Sequence, residues 1–245
     1  MELKIAHLYP ELLNLYSDRG NVVCLQKRCE WRGISAMVTE IQLDDELNLS
    51  DVDILILGGG GDREQRLIAE RLREFRGEIA EYVESNGVLL ALCGGFELLG
   101  NFYETAERVE IKGLELIDSH TLHSPNRLIG NVVIESEEFG KIVGFENHAG
   151  QTIIGDCAPL GNVIHGFGNN DNGTAAWVEG VIYKNVIGTY LHGPLLPKNP
   201  KLADALILKA LRRKFGDDVA LAELDDSVEI RAHNYIVERF LRGES

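Results

Sequence analysis

Apolar runs of strand length alternate with helical patterns through the first hundred residues. The predicted strands are rich in aliphatic and β-branched residues and cover 3–8, 34–41, 52–59 and 87–93. The last two are apolar throughout and run into glycines, which is typical of central parallel strands that are buried on both faces.

Helical patterns separate these strands. Asn21 can act as the N-cap of a helix that reaches about residue 32, and Gly33 then provides the left-handed residue that ends it. A longer helical pattern covers about 63–85, and a further helix begins within 94–104. This alternation predicts an α/β fold with a mostly parallel, twisted sheet that is flanked by helices.

The second half of the chain has a different pattern. Between about 105 and 190, strand-like segments are separated by turn signals, of which NNDNG at 169–173 is the strongest. These segments predict additional antiparallel strands, which either extend the sheet or form a flap on it. A helical extension is predicted over about 200–245. No low-complexity linker or internal repeat interrupts the chain, so we expect residues 1–245 to form one domain.

The composition is that of a globular protein, with 245 residues of which 44% are apolar and 26% charged. No apolar run reaches the roughly 18 residues of a membrane-spanning helix. The N-terminus lacks the basic and apolar regions of a signal peptide, so we expect a cytoplasmic protein. The net charge is −15 and no basic cluster is present, which argues against nucleic-acid binding.

Four cysteines are present, and only Cys93 has a setting that suggests chemistry. Their spacing forms no C-x-x-C pair, so neither a zinc site nor a redox motif is expected. Cys24, Cys29 and Cys157 are interpreted as small buried apolar residues. Cys93 lies in LLALCGGFELLG, where a buried strand meets a helix. Such a turn exposes a nucleophile, supplies N–H groups for an oxyanion and favours the thiolate, although a buried structural cysteine remains the alternative.

A cysteine nucleophile needs a base, and seven histidines compete for that role. His192 follows an apolar strand and precedes Gly-Pro, so it is expected at the crevice where parallel sheets bind ligands. His148 is the second candidate. His7, inside the first strand, is interpreted as structural, and His233, in the last helix, as a surface residue.

The run GGGGD at 58–62 closes a predicted central strand. It is not a P-loop, because no Gly-Lys-Ser/Thr follows it. Glycines there allow close approach of the backbone to a ligand, so Gly59 or Gly60 could donate a second hydrogen bond to an oxyanion. A flexible turn is an equally good interpretation.

Together, Cys93, His192 and the glycine run resemble the class I, triad-type glutamine amidotransferases. ALCGGFELLG resembles the Cys-Gly-Gly-aromatic motif of the cobyric acid synthase-like branch, and GTYLHGP resembles its histidine motif. The segments YPELLNLYSDRGNV, HSPNRLIGNVVIE and GFENHAG resemble, more specifically, the glutaminase subunits of lipid II isoglutaminyl synthases.

The resemblance implies a mechanism for glutamine hydrolysis. The Cys93 thiolate attacks the side-chain amide, and His192 transfers protons. The N–H groups of Gly60 and Gly94 form the oxyanion hole, and Arg127 binds the carboxylate of the substrate with its planar guanidinium. No metal or cofactor is expected in this chain.

The sequence departs from the family pattern at two positions. Most class I enzymes carry His-x-Glu, whereas Gly-Pro follows His192, so a Cys–His dyad is expected. Glu146 or Asn147 could orient His192 from another strand. The position four after the nucleophile is often Gln and is Glu97 here, which we expect to be exposed in the first turn of its helix.

No nucleotide-binding motif is present, so the carboxylate that receives ammonia must be activated on another polypeptide. The resemblance implies a heterodimer with a Mur ligase-like subunit, MurT, which holds ATP and Mg²⁺. That pair amidates the D-glutamate of lipid II to D-isoglutamine for the cell wall. Two alternatives are a corrinoid amidotransferase subunit and a catalytically silent subunit that only binds a partner.

Overall fold

The structure is a computed structural model that describes residues 1–15, 18–171 and 177–241. Its strands form two sheets. In chain order the strands are β1 Glu2–Leu8, β2 Ser35–Ile41, β3 Ile54–Leu57, β4 Val88–Leu92, β5 Phe102–Glu104, β6 Glu110–Lys112, β7 Ser119–Ser136, β8 Gly140–Ile154, β9 Gly161–His165, β10 Val178–Glu179, β11 Val181–Tyr183 and β12 Val186–Thr189. The helices are α1 Arg19–Glu30, α2 Asp62–Glu74, α3 Arg76–Glu84, α4 Gly94–Leu99, α5 Pro200–Phe215 and α6 Ser227–Leu241.

The first sheet has the strand order β11-β12-β4-β3-β1-β2. All neighbouring pairs are parallel except β11 with β12. β3 and β4 are buried at every position because helices pack on both faces of the sheet. α1 and α5 cover one face, and α2 and α3 cover the other. The predicted α/β fold is thereby confirmed, and the four strands predicted in the first hundred residues are all present.

The second sheet accounts for the strand-like second half of the sequence. β5, β6, β7, β9 and β10 lie side by side in it, and β8 pairs with β7 in a long antiparallel hairpin. Among the described strands of the second half, β11 and β12 extend the first sheet and the others do not. The two sheets meet where Phe145 of β8 forms an isolated bridge with His192, just beyond β12. Of the predicted turn at 169–173, residues 172 and 173 lie outside the described residues.

The helices follow the predicted pattern with one correction. The long helical pattern divides into α2 and α3 at Phe75, and α5 and α6 form the predicted C-terminal helices. The prediction that Asn21 caps α1 is wrong: Asn21 lies inside the helix and its Oδ1 accepts the Leu196 N–H at 2.8 Å. Within the described ranges, no helix combines the length and the apolar character needed to cross a membrane.

Candidate active site

The candidate site lies at the carboxyl edge of the first sheet. Cys93 follows β4, the glycine run 58–61 follows β3, and His192 lies just beyond β12. Asp18, which precedes α1 and follows β1 in the chain, reaches the same edge. Because these four strands are parallel, their carboxyl ends meet, and loops distant in sequence converge there.

Cys93 occupies a strained turn between β4 and α4. Its φ is +47°, in a region that residues with a Cβ rarely adopt. The backbone N–H of Cys93 donates to the Thr189 carbonyl at 2.8 Å, and its carbonyl accepts the Glu97 N–H at 2.9 Å. Gly95 is required beside it, since a Cβ there would lie 2.6 Å from the Leu57 carbonyl oxygen. The sharp turn that was predicted between the strand and the helix is therefore present.

The thiol itself differs from expectation. Burial raises the pKa of Cys93, and the charges of Glu97 and Asp18 raise it further. A hydrogen bond from the Gly94 backbone lowers this pKa, but α4 has only six residues and its N-terminus does not outweigh the burial. The expectation that the helix stabilises a thiolate is wrong, because the pKa of Cys93 is raised and not lowered. The thiol therefore needs a base.

His192 lies next to Cys93. A Cβ placed on Gly59 would be 3.0 Å from the Cβ of Cys93 and 3.1 Å from Cε1 of His192, so both side chains approach the same point. His192 is fully buried. Its backbone N–H donates to the Phe145 carbonyl at 2.8 Å, which anchors the residue to the second sheet.

Asp18 is a third member of the site that the sequence did not reveal. Its Oδ1 lies 3.2 Å from Nδ1 of His192, and its Oδ2 accepts the Gly59 N–H at 2.8 Å. Both side chains of the Asp–His pair are fully buried. A carboxylate only accepts, so Nδ1 carries the proton and Nε2 is the nitrogen that can act as a base. The expected Cys–His dyad thus has an acid beside it, placed before α1 rather than after the histidine.

The glycine run contains one N–H group that is already hydrogen-bonded, that of Gly59, and one that could bind an oxyanion, that of Gly60. The N–H of Gly59 is used by Asp18, which removes Gly59 as an oxyanion donor. Gly60 lies against Gly94, because a Cβ on Gly94 would be 2.8 Å from the Gly60 carbonyl oxygen. The two residues that were predicted to form an oxyanion hole are therefore neighbours in space.

Arg127 is exposed on β7, where the register with β8 shifts. Its guanidinium donates to the side chain and to the carbonyl of Asn147. Its charge lowers the pKa of Cys93. An exposed guanidinium with this orientation can bind a carboxylate.

The other candidate residues, His148 and Glu146, form contacts of their own. His148 is buried, stacks on Tyr190 with ring centroids 3.6 Å apart, and bonds the Gly150 carbonyl through Nδ1 at 2.7 Å. Glu146 accepts the backbone N–H groups of Phe167 and Gly168 and so supports that loop.

Glu97 is buried, contrary to the sequence-based expectation of an exposed residue. Its exposed fraction is 4%, because the second sheet covers α4. It accepts hydrogen bonds from Gln65 at 2.7 Å and from the Tyr190 hydroxyl at 3.0 Å. Burial raises the pKa of Glu97. Among the described residues, no group of three or more His, Cys, Asp or Glu side chains is arranged to hold a metal ion.

Comparison with known proteins also points to the glutamine amidotransferases. The profile of the CobB/CobQ-like glutamine amidotransferase domain matches residues 4–200. The subunit GatD of the Staphylococcus aureus lipid II isoglutaminyl synthase is 43% identical over 97% of this chain and 96% of its own length. The Streptococcus pneumoniae GatD subunit is 42% identical over 92% of this chain and 86% of its own length. A crystal structure of a glutamine amidotransferase superimposes with a TM-score of 0.57 at 17% identity, covering 84% of this chain and 98% of that one, which supports the fold.

Proposed function

The chain belongs to the CobB/CobQ-like glutamine amidotransferase family, and we propose that it is the glutamine-hydrolysing subunit of a lipid II isoglutaminyl synthase. It is an enzyme of the glutamine amidotransferase class. The proposal of lipid II as the final acceptor is supported by the two GatD relatives, which match nearly the whole chain. The corrinoid alternative has weaker support, because the probable cobyric acid synthases are less similar to this chain.

The convergence of Cys93, His192 and Asp18 carries the proposal. His192 takes the thiol proton on Nε2, and Asp18 stabilises the imidazolium through Nδ1. The thiolate adds to the side-chain amide carbon of glutamine. Because burial disfavours a free thiolate, proton transfer to His192 accompanies the attack.

The next steps release ammonia. The N–H groups of Gly60 and Gly94 stabilise the negative oxygen of the tetrahedral intermediate. His192 returns its proton to the leaving nitrogen, the C–N bond breaks, and a thioester with Cys93 remains. Water, deprotonated by His192, then hydrolyses the thioester to glutamate and frees the thiol. Arg127 holds the substrate by its α-carboxylate throughout.

Ammonia is consumed on a second polypeptide. The partner is a MurT-like, Mur ligase-like subunit that binds ATP and Mg²⁺ and activates the D-glutamate carboxyl of lipid II. The glutaminase subunit itself needs no cofactor. The two subunits form a heterodimer with the Cys93 crevice facing the partner, so that ammonia passes between the sites without being protonated in bulk water.

The proposal is tested by glutamine hydrolysis in the presence of the partner. Cys93→Ser abolishes release of glutamate and ammonia while the thermal unfolding temperature stays near that of the wild type. Cys157→Ser is the matched control and keeps full activity, because Cys157 is next to Ala158, which pairs with Ile182 of the edge strand β11. Hydrolysis at the wild-type rate by folded Cys93→Ser would instead support the silent-subunit alternative.

A further inference from the structure

A buried glutamine lies directly behind the proposed oxyanion hole. Gln65 belongs to the first turn of α2 and is 2% exposed. Its Nε2 donates to the Gly60 carbonyl at 3.3 Å and to Glu97 Oε2 at 2.7 Å. A Cβ on Gly94 would lie 2.7 Å from the same nitrogen. One amide group therefore contacts the glycine run, the nucleophile turn and α4.

The orientation of this amide follows from its partners. A carbonyl oxygen and a carboxylate face it, and each accepts hydrogen bonds. Only the NH₂ end of the amide can donate to both. Its other end, Oε1, is buried without a hydrogen-bond donor among the described residues. A buried acceptor without a hydrogen bond lowers the stability of the fold, and an apolar side chain at position 65 would avoid that cost. Packing alone therefore does not account for a glutamine there.

We propose that Gln65 is a positioning residue of the oxyanion hole, which holds the Gly60 carbonyl, and with it the backbone that carries the Gly60 N–H, beside Gly94 and is itself held in place by Glu97. The inference rests on the proposed function, since it concerns the same reaction. The two hydrogen bonds of its amide go to Gly60 and Glu97, so it acts through the placement of the two N–H donors.

The arrangement gives the carboxylate of Glu97 a role beside a thiol whose pKa it raises. Glu97 accepts from Gln65 with one oxygen and from the Tyr190 hydroxyl with the other. Tyr190 precedes Leu191 and His192, and its hydroxyl also bonds Thr152 at 2.6 Å. Glu97 thereby links the glycine run to the strand end that carries the base.

Gln65→Met tests the role of Gln65, because methionine has a similar length and no donor. The oxyanion hole acts on the transition state rather than on bound glutamine. The variant should therefore lose about 10- to 100-fold in kcat with little change in KM for glutamine, somewhat less than removal of a donor. Alkylation of Cys93 by iodoacetamide is a displacement that uses no oxyanion hole, so its rate should stay within about twofold of the wild type.

Gln26→Met is the matched control. Gln26 donates through Nε2 to the Ala36 carbonyl, also at 3.3 Å, at the edge of the sheet three strands from β4. The same substitution there removes the same kind of bond and should leave kcat and KM unchanged. A loss of kcat in both variants would overturn the proposal, because it would show a general effect on folding.

Two variants of Glu97 extend the test. Glu97→Gln still offers an oxygen to Gln65 and should lose less kcat than Glu97→Met, which offers none. Wild-type kcat in folded Gln65→Met, or a parallel loss of kcat and iodoacetamide reactivity, would overturn the positioning role. Either result would leave the proposed function intact if the wild-type protein hydrolyses glutamine, whereas an inactive wild type with its partner would refute the proposed function itself.

Discussion

Replacement of Asp18 by asparagine removes one charge from the site and keeps the size of the side chain. Two donors converge on the carboxylate: the Gly59 N–H on Oδ2 and the Nδ1–H of His192 on Oδ1. Asparagine has one acceptor oxygen and one NH₂ group. If the oxygen accepts from Gly59, the NH₂ faces Nδ1 and holds the proton of His192 on Nε2, where the ring cannot act as a base.

The expected loss follows from that geometry. A hydrogen bond to a charged group contributes about 1.5–3 kcal/mol, which corresponds to about 10- to 150-fold in rate. Enforcement of the wrong tautomer increases the loss toward the roughly 10⁴-fold seen for the equivalent change in a serine protease triad. The effect should appear in kcat, while KM for glutamine changes little, because Asp18 lies behind His192.

The assay compares ammonia release by wild type, Asp18→Asn and Asp53→Asn, each with the partner present. Asp53 is also buried and accepts the Lys4 N–H at 2.7 Å, but it lies before β3, at the opposite edge of the sheet. Asp53→Asn should keep wild-type kcat even if it unfolds at a lower temperature. A kcat for folded Asp18→Asn within about threefold of the wild type would refute the reasoning, since even the low end of a charged hydrogen bond exceeds that.

Three further predictions concern other groups. His192→Ala should lose about 10²–10⁴-fold in kcat or more, and His148→Ala much less; the reverse order would identify the other histidine as the base. Arg127→Ala should raise KM for glutamine strongly and leave the rate of Cys93 alkylation by iodoacetamide unchanged. If glutamine binding and Cys93 alkylation were both lost, the substitution would have damaged the fold. Burial raises the pKa of Glu179 from 4.5 to about 8. The contribution of its protonated form to stability is complete below about pH 4.5 and is lost as the pH rises to 8, at about 1.4 kcal/mol per unit. In urea unfolding, Glu179→Gln should therefore be less sensitive to pH than the wild type over this window, and equal slopes would contradict the assignment.

The sequence predicts the strands and the nucleophile because their signals are local. β3 and β4 are apolar at every position, and glycines follow both of them. A cysteine between a buried strand and two glycines needs a sharp turn, whatever the rest of the chain does. His192 is also predicted from a local pattern, because it follows an apolar strand and precedes Gly-Pro. The carboxyl end of that strand is expected at the same edge of the sheet as Cys93.

Asp18 could not be found this way because its role depends on contact across the sheet. It lies 174 positions before His192, in a loop without a periodic pattern. One physical signal was available: an acidic residue after β1 lies at the edge where the catalytic loops meet. Gly20 supports this placement, since a Cβ there would lie 2.6 Å from Cγ of Pro194, and only glycine allows the two segments to approach so closely.

Glu97 shows a second limit of sequence reasoning. A glutamate in the first turn of a short helix is usually exposed, and its local sequence does not show what covers α4. The second sheet places Gly150 against its carboxylate, and the partners that satisfy it come from α2 and from the residue after β12. Burial of this kind depends on the arrangement of two sheets, which the strand-like segments between 105 and 190 left open.

The central claim is that this chain supplies ammonia from glutamine through Cys93 to a separate ligase subunit. Glutamine labelled with ¹⁵N in its side-chain amide, ATP and lipid II are incubated with the partner and either wild type or Cys93→Ser, and the stem peptide is analysed by mass spectrometry. We expect ¹⁵N in the D-isoglutamine amide with the wild type, none with Cys93→Ser, and amidation by Cys93→Ser only when ammonium salt is added. Transfer of ¹⁵N by folded Cys93→Ser, or amidation by this chain without the partner, would contradict this division of labour.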